Sequence, residues 1–221
     1  MNKEVFIFGT SALAAEITEY INDNNANKEH EEKIKILGYF DVDDANYKKY
    51  SFKEPFLGEE KDYVFKNTDL ILVAITNIQV RMRIFKFIQI NKLKLFTFIH
   101  HSCFISINSN IDDGNILCPN VIVGPNVNIG KFNIVNYKAS IPHDCNIGFN
   151  NILSPNVQFT GNVSVGDNNF FGTSCTILPN IIIGNDNQFQ ASLLIDKSIN
   201  NNLLIMANIK KIKISLNEEK D

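Results

Sequence analysis

The chain has 221 residues, of which 44% are hydrophobic and 20% are charged. This composition excludes a disordered chain, a collagen and a coiled coil, and it suits one large domain or two small ones. A net charge of -3, with scattered lysines and arginines, excludes a broad basic surface for nucleic acid or anionic membranes. The sequence therefore predicts a small-molecule partner.

The sequence also predicts a cytoplasmic protein with reduced cysteines. No uninterrupted apolar run approaches the roughly 20 residues of a membrane-spanning helix. The first ten residues, MNKEVFIFGT, lack the charged region and the cleavage site of a signal peptide. The cysteines show no CxxC pairing, so we expect buried thiols rather than disulfides or zinc ligands. These cysteines are Cys103, Cys118, Cys145 and Cys175.

The first part of the chain alternates apolar runs typical of buried strands with apolar residues at helical spacing. The strands are predicted at 4–8, 34–40 and 70–75, and the helices at 13–21 and about 79–90. An Asn-rich stretch at 22–27 is predicted to end the first helix. Strands that alternate with helices predict a small parallel α/β domain at residues 1–96.

Ligands on such a sheet bind beyond the carboxyl ends of its strands. The residues predicted at that edge are Gly9, Thr10, Asp41, Thr76 and Asn77. The loop that begins at Gly9 keeps one of the three glycines of a dinucleotide fingerprint, so we expect no nicotinamide cofactor. A plain strand-to-helix turn with a Ser or Thr cap explains this loop as well as a ligand loop does.

The second part of the chain repeats every six residues. All seventeen positions reached in steps of six from Ile99 to Ile195 are apolar. An Ile-Gly or Val-Gly pair recurs every eighteen residues, at Ile129, Ile147, Val165 and Ile183, so three hexapeptides form one unit. Sides this short and this rich in β-branched residues predict a parallel β-helix of a little over five coils.

The repeat assigns residues 97–205 to the β-helix and leaves 206–221 as a tail. Many asparagines suit tight corners that need left-handed backbone. The ones that we predict at corners are Asn126, Asn128, Asn150, Asn151, Asn168 and Asn169.

Several segments together resemble one bacterial family. They are the loop FGTSALAAEI, the strand ends GYFD and VAITN, and IPHDCNIG within the hexapeptide repeats. The family is the left-handed β-helix sugar acyltransferases of surface-glycan biosynthesis. It includes N-acetyltransferases of nucleotide-linked 4-amino-4,6-dideoxyhexoses and the sialic acid O-acetyltransferase type.

This resemblance implies a Rossmann-like α/β domain that binds a sugar nucleotide, followed by a left-handed β-helix. It also implies a homotrimer with acetyl-CoA between neighbouring prisms. The left hand rests on the resemblance, since general crossover rules favour the opposite one.

The resemblance implies a catalytic group in the β-helix. His143 matches the family's catalytic histidine, and an imidazole is well suited to take a proton from an attacking amine or hydroxyl near neutral pH. Asp144 matches the acidic residue that orients the ring. Gly161 matches the glycine whose backbone N–H faces the thioester oxygen. We expect direct transfer without a covalent intermediate, and we expect Cys145 to pack in the core.

The resemblance also implies two sets of binding residues and no metal. The set for the sugar nucleotide is Gly9, Thr10 and Ser11 in the loop, Asp41 as an acceptor towards base or ribose, and Asn77 with Arg81 near a phosphate. The set for acetyl-CoA is Gly172, Thr173, Ala191, Ser192, Lys210 and Lys211. A solvated basic tail explains the two lysines equally well. His100 and His101 are expected to cap the start of the β-helix, with a place near the nucleotide end as the alternative.

The chain departs from the family at two segments expected to contact the coenzyme and at Ile152, where some relatives carry a second histidine. It reads FQAS where relatives have a Gly-Ala-Gly-Ala segment, and MANI where they have a Gly-x-Pro-Ala turn. The leading hypothesis is an acetyl-CoA dependent N-acetyltransferase on a nucleotide-linked amino sugar, with UDP, dTDP and GDP all open. The alternatives are a sugar O-acetyltransferase, a trimeric scaffold without activity, and, more remotely, a γ-class carbonic anhydrase, which would need three converging histidines.

Overall fold

The computed structural model describes residues 3–27 and 33–207. Its first part is a four-stranded parallel sheet in the order β2-β1-β3-β4 with three helices. The elements are β1 (Lys3–Phe8), α1 (Ala12–Ala26), β2 (Ile34–Phe40), α2 (Ala45–Tyr50), a 3-10 helix (Glu60–Asp62), β3 (Leu70–Val73), α3 (Ile78–Ile90) and β4 (Lys94–Leu95). We call residues 3–27 and 33–95 the α/β region. The sequence missed α2 and the short edge strand β4.

Helix α1 is longer than predicted because its asparagines make tertiary contacts instead of ending it. The helix continues to Ala26. The buried Asn24 accepts a hydrogen bond from the backbone N–H of His101 (2.7 Å). The side chain of Asn25 bonds both the backbone N–H and the carbonyl of Ile34 (2.8 Å each). These contacts tie the end of α1 to β2 and to the β-helix.

The second part is a parallel β-solenoid, here called the prism (residues 98–205). Two-residue strands β5 to β21 recur every six residues from Phe98–Ile99 to Leu194–Ile195, and β22 is Leu204–Ile205. They form parallel sheets of five, six and seven strands, which amount to about six turns. The α/β domain and the solenoid are therefore confirmed in outline. The left-handed sense, the Rossmann-like character and the domain boundaries stay predictions.

The apolar frame predicted from the sequence points into the prism. The fourteen frame positions from Leu117 to Ile195 are buried, and the first three, Ile99, Ile105 and Ile111, pack partly buried against the same core. Paired strands lie eighteen residues apart, as in Ile134 with Ile152. The interval shortens to sixteen in the last turn, where Gln188 pairs with Leu204.

The corners use left-handed backbone at every sixth residue from Asn120 to Ser192, with φ between 54° and 67°. Asn126, Asn150 and Asn168 occupy such corners, as predicted. The prediction was wrong for Asn128, which lies in a strand. It was also wrong for Asn151 and Asn169, which are buried inside the prism.

These two belong to a ladder of buried asparagines spaced by eighteen residues. The ladder consists of Asn115, Asn133, Asn151, Asn169 and Asn187. The side-chain oxygen of each of the first four accepts the backbone N–H of the next, at 2.7 to 3.0 Å. The buried amides thus supply the hydrogen bonds that a polar group needs in an apolar interior, except at the end of the ladder, where the amide nitrogen of Asn187 has no partner among the described residues.

The α/β region packs on the outside of the seven-stranded sheet. The outward positions of that sheet are apolar wherever the region covers them, at Phe98, Ile116, Ile134, Ile152 and Phe170. Apolar residues of α1, among them Ile17 and Ile21, belong to the same cluster. At the next coil, beyond this cluster, the outward residue is the exposed Gln188. No helix within the described ranges is long and apolar enough to span a bilayer.

Candidate functional site

His143 lies on a prism corner with its side chain in solvent. Each turn of this corner is bonded to the next, since Asp144 N–H donates to the carbonyl of Pro125 and Asn162 N–H donates to that of His143 (3.1 Å each). The His143 side chain is 61% exposed. The residue that follows it, Asp144, has a left-handed φ of 62°, so the corner itself turns both side chains outward.

His143 and Asp144 form a hydrogen-bonded pair. Nδ1 of His143 lies 2.8 Å from Oδ2 of Asp144, and Oδ1 of Asp144 accepts a hydrogen bond from the amide of Asn126 (3.1 Å). The bonds from His143 and Asn126 lower the pKa of the Asp144 carboxyl. An ionised carboxylate only accepts hydrogen bonds, so Nδ1 carries the proton and Nε2 of the neutral ring has a free lone pair. An imidazole held in this way can act as a general base.

Gly161 lies one coil along the same corner and touches the imidazole. A Cβ on this residue would lie 2.6 Å from Nε2 of His143, and closer still to its Cε1. Side-chain carbons do not approach a ring atom so closely, so only glycine leaves room for the ring in this position. The sequence placed Gly161 beside His143, and the structure brings the two together.

The remaining side chain of this segment, Cys145, points inward. It is buried in the prism core, and its Sγ donates to the carbonyl of Thr160 (3.2 Å). Burial raises the pKa of the Cys145 thiol. These contacts confirm the expected packing role. All four cysteines, each within the described ranges, are free thiols.

A second group of predicted residues meets at the carboxyl edge of the α/β sheet. Asp41 Oδ2 accepts hydrogen bonds from the backbone N–H (2.9 Å) and the hydroxyl (2.7 Å) of Thr10. Gly9 has a φ of 106° and lies so close to β3 that a Cβ would be 2.7 Å from the carbonyl of Ala74. The loop after β1 is thus held against the ends of β2 and β3, where Ser11 is half-buried at the N-cap of α1.

Asn77 is the exposed N-cap of α3, where its side-chain oxygen accepts the backbone N–H of Val80 (3.0 Å). A cavity of about 290 Å³ lies at the same edge of the sheet, lined by Asp41 and by residues from α3 and the 3-10 helix. Its charged lining consists of Asp41, Glu60 and Arg83. Arg83 forms an ion pair with Glu60 (3.5 Å).

Arg81 is not available to a phosphate, contrary to its predicted role. The residue is 1% exposed, and its guanidinium stacks on the ring of Phe132. It donates to Oδ1 of Asn150 (2.8 Å) and to the backbone carbonyls of Val73, Ile75 and Phe132. Desolvation lowers the pKa of Arg81 to about 9, so the guanidinium remains charged at neutral pH. Arg81 therefore joins α3 to the prism.

Arg83, which the sequence reasoning did not select, is the arginine on the cavity side. Its side chain is 56% exposed. A signal for this difference exists in the sequence, because Arg81 shares helical spacing with the buried Ile84 and Ile88, whereas Arg83 does not.

The residues predicted to bind the coenzyme lie in adjacent coils. Gly172 is buried and a Cβ there would meet the backbone of Ala191. Ser192 N–H donates to the carbonyl of Thr173 (2.8 Å), and Thr173, Ala191 and Ser192 are exposed. The structure thus brings these four residues together on one corner. Lys210 and Lys211 lie outside the described residues.

Comparisons with known proteins found similarity to solved structures. Scans of family models and of curated proteins gave no match. A histidine-to-alanine mutant of GDP-perosamine N-acetyltransferase from Caulobacter crescentus, in complex with CoA and GDP-perosamine, superimposes with a TM-score of 0.78. The two sequences are 20% identical, and the superposition covers 96% of this chain and 97% of the mutant enzyme's chain.

Two further solved structures have similar TM-scores, identities and coverages. The acetyltransferase domain of PglB from Neisseria gonorrhoeae FA1090, in complex with acetyl coenzyme A, has a TM-score of 0.78 and 18% identity over 94% of this chain and 98% of that one. WeeI from Acinetobacter baumannii AYE has a TM-score of 0.77 and 20% identity over 93% and 98%. This chain therefore shares its fold, over nearly its whole length, with proteins of this kind.

Proposed function

We propose that this protein is an acetyl-CoA dependent N-acetyltransferase that acts on a nucleotide-linked 4-amino-4,6-dideoxyhexose. The observation that carries the proposal is the exposed His143, oriented by Asp144 and fitted over Gly161. The shared fold supports it, since structures of that fold include an N-acetyltransferase with CoA and an amino-sugar nucleotide. Two solved structures of that N-acetyltransferase have a histidine replaced, by alanine in one and by asparagine in the other.

In the proposed reaction, the nitrogen of the sugar amine attacks the thioester carbonyl, and Nε2 of His143 takes a proton from this amine. The C–N bond forms, and the carbonyl oxygen gains negative charge, to which the backbone N–H of Gly161 donates. The C–S bond then breaks, and the imidazolium returns the proton to the thiolate of CoA. Asp144 stabilises the imidazolium between these two steps. No covalent enzyme intermediate forms.

The sugar nucleotide is proposed to bind at the carboxyl edge of the α/β sheet. Gly9, Thr10 and Ser11 form the loop, with Asp41 and Asn77 beside it. Arg83 takes the phosphate-binding role that was predicted for Arg81, because it is a cation on the cavity side of α3. Asp41 is already held by Thr10, so its carboxylate is positioned before any ligand binds.

Acetyl-CoA is proposed to run along the prism past Gly172, Thr173, Ala191 and Ser192, with Lys210 and Lys211 near its phosphates. We further propose a homotrimer with the active sites between subunits, located in the cytoplasm. Exposed apolar side chains on the prism support self-association, since Phe104 and Ile122 pair in adjacent coils yet are 66% and 49% exposed.

The test is an acetyl transfer assay that follows the released CoA thiol. Purified protein is supplied with acetyl-CoA and with 4-amino sugars linked to UDP, dTDP or GDP. We expect turnover with one of these nucleotides and a rise in melting temperature with the same nucleotide alone. Turnover on an unlinked or polymeric sugar hydroxyl would instead indicate an O-acetyltransferase. The absence of turnover on every acceptor would indicate a scaffold.

The matched variant is His143→Asn, which keeps a polar side chain at the corner but removes the base. We expect its turnover to fall at least ~100-fold, the usual contribution of a general base, with near-normal coenzyme binding. The control Asn146→Ala changes an exposed side chain in the next strand of the prism and leaves turnover unchanged. Normal turnover in His143→Asn would remove the proposed mechanism.

A further inference from the structure

A second group of chemically active side chains lies away from His143, where α1 meets the first turn of the prism. It consists of Asp23 from α1 and of His100 and His101, which follow β5. These residues are 77 and 78 positions apart along the chain. The sequence analysis favoured a capping role for the two histidines and predicted no metal.

The three side chains point their donor atoms at one place. Oδ2 of Asp23 lies 3.0 Å from Nε2 of His100 and 2.9 Å from Nε2 of His101. All three atoms lie within 4.8 Å of one another. Ligands bound at about 2.0 Å around a tetrahedral zinc ion stand roughly 3.3 Å apart. The two distances from the carboxylate oxygen to the imidazole nitrogens would therefore have to grow by only a few tenths of an ångström to admit the ion.

The surroundings hold these donors in place. His100 is 4% exposed, and its ring centroid lies 4.4 Å from that of His101. Nδ1 of His100 lies 2.8 Å from the hydroxyl of Ser102, which accepts a hydrogen bond from the backbone N–H of Asn120 (2.9 Å). A serine hydroxyl can donate or accept, so the Ser102 oxygen can accept a hydrogen bond from Nδ1–H in the tautomer that leaves a lone pair on Nε2. In the opposite tautomer, the backbone N–H of Ser102 donates to Nδ1 (3.3 Å). Outer-shell contacts of this type orient metal-binding histidines.

The backbone adds to this preorganisation. Asn24, next to Asp23, accepts the backbone N–H of His101 (2.7 Å), which fixes the prism turn against the end of α1. The amide of Asn27 lies 3.3 Å from Nε2 of His101 at the exposed side of the group. Asp23 and His101 are exposed, so solvent reaches the group from this side.

We propose that Asp23, His100 and His101 form a binding site for a divalent transition-metal ion, with Zn²⁺ as the best fit. Two imidazoles and one carboxylate oxygen are ligands that Zn²⁺ accepts in tetrahedral sites. The ion would replace two N–H···O hydrogen bonds that now share a single oxygen. Since the ligands come from both parts of the chain, bound metal would fasten the α/β region to the prism. This proposal does not depend on the acetyltransferase activity.

The experiment uses the full-length protein, treated with EDTA and dialysed, then titrated with ZnCl₂ by calorimetry. We expect one ion per chain and a higher melting temperature in excess Zn²⁺. We expect Asp23→Asn and His101→Ala, both at exposed positions, to lower the affinity at least ~10-fold. Circular dichroism checks that both variants fold.

His143→Asn is the matched control, because it removes a histidine from the other exposed carboxylate–imidazole pair. It should bind Zn²⁺ as the wild type does. Cobalt gives a second readout, since visible absorption bands of Co²⁺ report tetrahedral coordination and should disappear in Asp23→Asn. Wild-type protein that binds no Zn²⁺, or the same affinity in all variants, would overturn the proposal.

Discussion

Gly161 determines where the imidazole of His143 can lie. A Cβ at residue 161 would overlap the imidazole ring of His143, not the backbone of the adjacent coil. Replacement by alanine therefore displaces the ring and leaves the coil intact. The fit of a ring over a glycine is a property of two residues eighteen positions apart, which the repeat brings into register.

We predict that Gly161→Ala lowers turnover by about 100-fold, because a misplacement of the order of 1 Å in a catalytic group has an effect of that size. The melting temperature should stay near that of the wild type. A double-mutant cycle supplies the control, since Gly161→Ala should add little in the His143→Asn background if it acts through the ring. Additive losses would mean that Gly161 acts independently of His143.

Helix α3 carries two arginines with different surroundings. Successive helical residues are separated by about 100°, so residues two apart lie on nearly opposite sides. Arg81 accordingly faces the prism with all its bonds to protein oxygens, while Arg83 faces the cavity. The pair separates a structural role from a binding role within one turn of helix.

We predict that Arg81→Met destabilises the protein by about 3–5 kcal/mol, because it leaves oxygens at the end of β3 and in the prism without their hydrogen-bond donor. Urea unfolding measures this change. Arg83→Met should cost less stability, about 1–2 kcal/mol, because it removes the ion-pair partner of the buried Glu60. It should weaken nucleotide-sugar binding by about tenfold, the loss of one charge-assisted hydrogen bond. The reverse pattern would assign the phosphate to Arg81.

The asparagine ladder is an element in its own right, running along the prism interior. Asn151 is fully buried, donates to the carbonyl of Gly166 (2.8 Å) and accepts from the backbone of Asn169 (2.8 Å). Removal of its amide leaves the backbone N–H of Asn169 and the carbonyl of Gly166 without these partners.

We predict that Asn151→Ala lowers the free energy of unfolding by about 2–4 kcal/mol, since each stranded polar group costs about 1–3 kcal/mol. Asn146→Ala, at an exposed strand position, should cost less than about 0.5 kcal/mol. Chemical unfolding of both variants tests the difference. Equal losses would show that the buried ladder contributes no more than a surface amide.

At the scale of the whole molecule, the prism has one covered face and two open ones. The α/β region covers the seven-stranded sheet, and the six-stranded sheet exposes Phe104 and Ile122. Apolar side chains paired across adjacent strands and left in water favour association. In the proposed trimer, that surface would also bring one chain's His143 towards its neighbour.

We predict that the wild type sediments as a trimer and that Ile122→Lys dissociates it and lowers turnover at least ~10-fold, because a buried unpaired charge costs several kcal/mol. Val64→Lys, at a 91% exposed position of the α/β region, is the control and should stay trimeric. Sedimentation velocity measures both. A monomeric wild type with full turnover would refute the assembly.

Much of the architecture could be predicted because the repeat is local. A six-residue period fixes which side chains point inward, and an eighteen-residue period fixes which strands pair. The same spacing placed Gly161 beside His143. The prediction failed for Asn151 and Asn169, because a corner asparagine and a buried asparagine differ only in their place within the hexapeptide.

The sequence by itself determined the solenoid, its apolar frame and the segment that carries His143, since these depend on residues close in the chain or repeated at a fixed interval. Only the tertiary structure decided which arginine faces the cavity, why α1 continues through its asparagines, and how Asp23 meets two histidines. Those features arise where the α/β region packs against the prism. Contacts between residues about 70 positions apart leave no periodic trace in the sequence.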